Sequence, residues 1–250
     1  IDDESEALEN DIEVDKLNFY DERNDACEKD IVVRSVTSGT ITVQPYQIHA
    51  RLAQMLKPHQ IDAVKSILQT VGVDKAGYLL AHSMGLGKTL TTIAFIQALI
   101  STMSKFKVLI TCPLSVTYGW FNELYKWDDY ITFNYFLPLP VESDRANFLI
   151  RQWNKQGGVI LISHERFRLH QLSKDRDDRS TLFPDLLVID EAHNLKNQSN
   201  LFYQAVEATQ QSRKLLLTGS PLQNHLMEYF AMIHLIQPGL FDEKIFPSKN

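Results

Sequence analysis

Four residues in two short stretches carry the chemistry this sequence could do. Lys88 and Thr89 close the loop His82-Ser83-Met84-Gly85-Leu86-Gly87-Lys88-Thr89, and Asp190 and Glu191 open the tetrapeptide Asp190-Glu191-Ala192-His193. Gly85 and Gly87 let backbone N–H groups curl around a polyphosphate without Cβ obstruction. A helix starting at the end of such a loop adds the positive end of its dipole. Lys88 then supplies a point charge for β- and γ-phosphates, and the Thr89 hydroxyl can ligate Mg²⁺. The stretch from Ser83 through Met84, Gly85, Leu86 and Gly87 to Lys88 and Thr89 is the candidate ATP cradle. Asp190 is suited to hold the Mg²⁺ ion through water, and Glu191 to orient and polarise the attacking water. One departure stands out: the strict loop pattern begins with Gly, and His82 occupies that place.

These residues need elements to bring them together. The loop follows the apolar run 78–81 and precedes an almost wholly apolar segment, 90–100, which reads as a helix wedged between two layers. The acidic pair ends the apolar run 186–189. Further runs lie at 108–110, 133–137, 159–162 and 215–217, most of them continuous rather than alternating, as strands covered on both faces are. Helix-like stretches at 57–70, 90–103, 116–127, 145–154 and 201–211 fall between them. Alternation of this kind predicts an α/β fold on a mainly parallel sheet. Polar, Gly- or Pro-bearing clusters follow the strands, so the sheet's C-terminal edge should carry the ligand site.

Composition bounds the rest. The 250 residues are 44% hydrophobic, enough for one large domain plus a tail. Cys27 and Cys112 make no metal spacing and no disulfide framework, which fits a reducing compartment. No apolar run is long enough for a membrane span. The net charge of −6 is unevenly spread. Residues 1–30 hold 13 acidic and 3 basic residues, leaving 22 basic and 18 acidic for the remainder. The first 30 residues are therefore expected to be a disordered acidic tail, acting as a solvated linker or as a binder of basic partners. Residues 31–51 read as a lead-in and 52–250 as the folded lobe. The mildly basic body permits a phosphate-binding face.

The segments around the two motifs resemble the SWI/SNF-type chromatin-remodeller ATPases of helicase superfamily 2. Leu56-Lys57-Pro58-His59-Gln60 resembles their Q-motif segment, and Ala81 through Thr89 their motif I. Cys112-Pro113-Leu114-Ser115 with Trp120 is similar to motif Ia. Asp190 through Asn197 looks like motif II with its extension. Leu217-Thr218-Gly219-Ser220-Pro221-Leu222-Gln223-Asn224 looks like motif III. His at position 82, followed by Ser-Met-Gly, resembles the ATRX-like branch near the Rad54-like proteins. The resemblance implies a RecA-like three-layer sandwich in a nuclear ATPase that moves along double-stranded DNA in chromatin and nucleosomes. It implies that Gln60 contacts adenine, that Pro113, Leu114 and Ser115 lie near the DNA backbone, and that Thr218 and Ser220 couple nucleotide to DNA. It also implies a second RecA-like lobe carrying an arginine finger, without which hydrolysis by this lobe should be weak. Two other classes compete: a binding module with a vestigial nucleotide site, and an RNA helicase of the DEAH-box kind, suggested by residues 190–193.

Overall fold

The computed structural model describes residues 31–34, 45–131, 133–137, 143–172, 182–195, 198–211, 213–219 and 226–240. The acidic stretch 1–30, Lys196, Asn197, Ser220 and residues 221–224 lie outside these, as does the run Thr40-Ile41-Thr42-Val43. An antiparallel ribbon of β1 (Ile31–Arg34) and β2 (Pro45–Ile48) leads into α1 (Ala50–Gln54) and α2 (Pro58–Ile67). Then strand and helix alternate: β3 (Tyr78–Leu80), α3 (Lys88–Ser101), β4 (Lys107–Cys112), α4 (Leu114–Lys126), β5 (Tyr135–Phe136) and α5 (Ser143–Gln156). They are followed by β6 (Gly158–Ser163), α6 (His164–Leu172), β7 (Leu186–Ile189), α7 (Leu201–Glu207), β8 (Lys214–Leu217) and α8 (Leu226–Ile236). The six strands β3 to β8 form one sheet in the order β3-β8-β7-β4-β6-β5, with every pairing parallel.

The continuous apolar runs have a direct cause. Side chains alternate across a strand, so a strand with helices on both faces needs apolar residues at every position. In β4, Val108 and Ile110 enter one core while Leu109 enters the other. In β7, Leu186 and Val188 separate from Leu187 and Ile189 in the same way, and in β8 Leu215 and Leu217 separate from Leu216. The first core takes Val64 and Ile67 of α2, Ile93, Ile96 and Leu99 of α3, and Trp120 and Leu124 of α4. The second takes Trp153 of α5, Phe167 of α6, Phe202 and Val206 of α7, and Met232 and Leu235 of α8. This is the three-layer sandwich of a RecA-like lobe. Tyr46 and Ile48 of the lead-in ribbon are also buried in the first core.

The helical stretch expected over 57–70 ends at Ile67 and continues as a π-helical turn, Leu68–Val73. Pro58 starts α2, where its missing N–H costs nothing. Gly77, just before β3, touches α8 so closely that an added Cβ would sit 2.5 Å from Ile236 Cβ and 2.7 Å from Ile236 Cα. Backbone cannot retreat as a flexible side chain can, so Gly77→Ala should destabilise the fold by about 2 kcal/mol. A urea melt of the full-length protein, followed by a probe in this lobe, checks it. A midpoint equal to wild type would show that β3 and α8 separate freely.

Candidate active site

The candidate edge is built by strand ends. Leu80 pairs with Leu217 and Ile189 with Leu216, while Thr111 is level with Ile189 and Cys112 with Ser163. The residues that follow β3, β8, β7, β4 and β6 therefore share one rim. With neighbouring strands about 4.8 Å apart, the ends of β3 and β7 lie about 10 Å apart across β8. Lys88, on the loop after β3, and Asp190, after β7, are thus brought to the same edge. Gly219, after β8, lies between them: a Cβ there would be 2.9 Å from Met84 Cγ and 3.5 Å from Lys88 Nζ.

The loop has the conformation its glycines were expected to permit. Gly85 has φ +80° with open space around it, and Gly87, the N-cap of α3, has φ +76°. Both lie in the left-handed region that a Cβ disfavours. Lys88 Nζ donates to His82 O at 2.9 Å and to Ser83 O at 3.4 Å, so its ammonium spans the mouth of the loop. Met84 and Leu86 are exposed, which leaves backbone N–H groups as what these residues can offer a phosphate. Thr91 and Thr92 bond back to Gly87 O and Lys88 O, which anchors the first turn of the helix.

Gln60 has a task that the sequence did not disclose. Its Oε1 accepts from Lys57 N at 2.8 Å, satisfying the N-cap backbone of α2, and its Nε2 donates to Gly87 O at 3.2 Å. The side chain is buried, and a Cβ on Gly87 would stand 2.3 Å from Nε2. His59 Nε2 lies 3.2 Å from Leu86 O, and its ring meets His82 edge-on at 5.8 Å. α2 thus clasps the phosphate loop at two points. Burial, then the His59 ring and the Lys88 ammonium, push the His82 imidazole below its usual pKa.

On the acidic side, Asp190 Oδ2 accepts from Trp120 Nε1 at 2.7 Å, and Oδ1 accepts from Glu191 N at 2.9 Å. Glu191 itself holds φ +50°, rare for a residue with a Cβ and of a kind that clusters at functional sites. His193 Nδ1 stands 3.1 Å from Glu191 Oε2 but is not aligned for a hydrogen bond. After β6, His164 Nδ1 bonds with Thr111 Oγ1 at 3.0 Å, and its ring packs 4.2 Å from Phe202. Burial is the main force bringing the His164 pKa down to about 4, with His193 adding to it and a bond to the Asp190 backbone opposing it.

The hard oxygens of Thr89 and Asp190 fit an Mg²⁺ ion that takes its other ligands from water and phosphate. Among the described residues no group of three or more His, Cys, Asp or Glu could cage a metal unaided. Of the residues assigned to the DNA path, Pro113 caps α4, Leu114 and Ser115 are exposed, and all three follow β4 on the same rim. Thr218 is fully buried, and its N–H donates to Leu80 O. Ser220 falls outside the described residues. Trp120 was named only within the resemblance to motif Ia, and neither it nor His164 was assigned to the site. Trp120 carried one usable signal: it shares an apolar helix face with Thr117 and Leu124, and a buried indole N–H needs an acceptor.

Fold and rim together define a phosphate-loop lobe of RecA-like form. Residues 59–248 match the SNF2-related domain, and the chain belongs to that family of ATP-hydrolysing enzymes, in its ATRX/Rad54-like branch. It is 31% identical over 221 residues to the transcriptional regulator ATRX of Mus musculus, a match covering 78% of this chain and 9% of that protein. It is 32% identical over 221 residues to the DNA repair protein rhp54 of Schizosaccharomyces pombe, covering 81% of this chain and 25% of that protein. The Sulfolobus solfataricus SWI2/SNF2 ATPase core, solved in complex with dsDNA, superposes with a TM-score of 0.60 at 28% identity. That match covers 74% of this chain and 36% of the solved one. The chain spans a quarter or less of these curated relatives. The tetrapeptide at 190–193 invited a DEAH-box label; the family match does not support it, since the lobe falls in the SNF2-related group.

Proposed function

We propose that this chain is the ATP-binding lobe of a DNA-dependent ATPase that moves along double-stranded DNA, and that it works in nuclear chromatin together with a second RecA-like lobe. The observation that carries the reading is the single rim on which the Lys88 loop, the Gly219 turn and the Asp190-Glu191 pair meet. Lys88 trades its carbonyl partners for β- and γ-phosphate oxygens, and backbone N–H groups from Ser83 to Gly87 take the rest of the chain of phosphates. Thr89 and Asp190 hold Mg²⁺, which when bound neutralises phosphate charge. Glu191 orients the attacking water. Gln60, buried against Lys57 N and Gly87 O beside the loop, meets adenine when its amide turns from those partners, its N–H and oxygen being complementary to N7 and N6.

The polymer binds the continuation of the same rim. Pro113, Leu114 and Ser115 lie beside its backbone, and Thr218 with Ser220 couples the two ligands, since the Thr218 N–H is tied to the strand that feeds the phosphate loop. The solved archaeal relative with dsDNA supports duplex as the polymer. Contacts to phosphate rather than to base edges make binding sequence-tolerant and salt-sensitive.

The test compares ATP hydrolysis by the full-length protein with duplex DNAs of unrelated sequence and with RNA. Duplexes should stimulate alike and RNA much less. If about six phosphates are contacted, affinity should fall about 10³-fold between 50 and 200 mM salt. Equal stimulation by RNA would remove the DNA reading, and no nucleotide-dependent activity at all would remove the enzyme.

A further inference from the structure

We infer that Trp120 is a positioning residue for the Asp190 carboxylate, setting the direction from which that group meets a divalent cation. The inference rests on the proposed role of Asp190 but adds a residue and a mechanism to it. Trp120 sits 2% exposed on α4, and its indole N–H reaches across 70 positions of sequence to Asp190 Oδ2 at 2.7 Å. That separation lies within the range of a well-formed N–H···O bond. Asp190 is itself only 9% exposed, so few other donors can replace the indole.

The second oxygen is fixed independently. Oδ1 accepts from the backbone N–H of Glu191, a residue held at φ +50°. One donor therefore comes from a helix in the first core and the other from the turn after β7. Two donors on two oxygens define the carboxylate plane, and each oxygen keeps lone-pair capacity for a metal-bound water. A carboxylate that binds a cation loosely, through water, gains most from such fixing, because its own contact does not enforce an orientation. A buried donor needing any acceptor would be satisfied by a backbone carbonyl; here it meets the carboxylate proposed to face the cation.

The helix also begins at the edge assigned to DNA. α4 starts at Leu114, and Trp120 lies less than two turns further on.

The test uses the full-length protein with Trp120→Phe, which keeps a large aromatic ring and removes the N–H. Binding of a fluorescent, slowly hydrolysed ATP analogue is titrated with Mg²⁺ and, separately, in EDTA. The Mg²⁺ concentration for half-saturation should rise about tenfold or more, while affinity in EDTA stays within about twofold. In an Asp190→Asn background, the same change should add less than about twofold, since the two residues act as one unit. Equal losses with and without Mg²⁺, an unchanged Mg²⁺ requirement, or additive effects in the double variant would each overturn the inference. If Trp120→Phe does not fold, 3-benzothienylalanine at position 120 replaces the N–H by sulfur at nearly constant shape and is read in the same way. Wild-type protein that binds nucleotide without any Mg²⁺ dependence would instead remove the proposed role of Asp190.

Discussion

Glu191→Gln should leave the full-length protein able to bind Mg·ATP and DNA but slow hydrolysis about 10³-fold. The substitution keeps the shape of the side chain and removes the charge that polarises water. General-base contributions run from about 10² to 10⁴ in rate. Little else is disturbed: the left-handed turn is a backbone feature, and the bond from residue 191 N–H to Asp190 Oδ1 survives. Binding of a fluorescent nucleotide analogue should therefore stay within a few-fold of wild type. Single-turnover hydrolysis on saturating duplex separates the two quantities. Retention of a tenth or more of the wild-type rate would transfer the water-activating role to another group, with His193, 3.1 Å from the Glu191 carboxylate, the first to examine.

Lys88→Ala should fail earlier in the cycle. Its ammonium already lies across the loop mouth on two carbonyls, and a Cβ at Gly219 would be 3.5 Å away. On the proposed role, removing it deletes the point charge that ground state and transition state would both use. Nucleotide affinity and turnover should then fall together, with DNA-stimulated hydrolysis down about 10² to 10³-fold. Lys88→Arg should restore little, because a planar fork does not replace a compact charge at the end of a flexible stem. The two variants thus differ in kind: one holds ATP without cleaving it, and the other scarcely holds it. Persistence of ATPase and DNA translocation in Lys88→Ala would favour the binding-module class over the enzyme.

Much of this was legible in the residues. The runs at 108–110, 159–162, 186–189 and 215–217 all became central strands, because burial on both faces leaves a signal at every position. The loop and the acidic pair were readable because their chemistry needs fixed residue types at fixed spacing. α6 was not: it opens with His164-Glu165-Arg166, and polar residues at the end of a strand read as a turn. The run at 133–137 gave a strand of only two residues, Tyr135–Phe136, since an outer strand is specified by its single neighbour. α8, Leu226–Ile236, was not read as a helix; it follows the stretch 217–224 that drew attention as a resemblance to motif III. The bond from Trp120 to Asp190 was beyond sequence reasoning altogether, because apolar periodicity indicates that an indole is buried and says nothing of which acceptor it meets.

The burial of α3 limits how this machine can move. Nine successive residues, Thr91 to Leu99, are enclosed between sheet and neighbouring helices. A helix gripped on every side cannot slide or tilt without tearing close-packed contacts on both flanks. The end of the loop that joins α3, where Thr91 and Thr92 bond back to Gly87 O and Lys88 O, is consequently held like an anvil. On the proposed function, a stroke driven by hydrolysis would be taken up by the segments that follow the strands, or by travel of the whole lobe as one block.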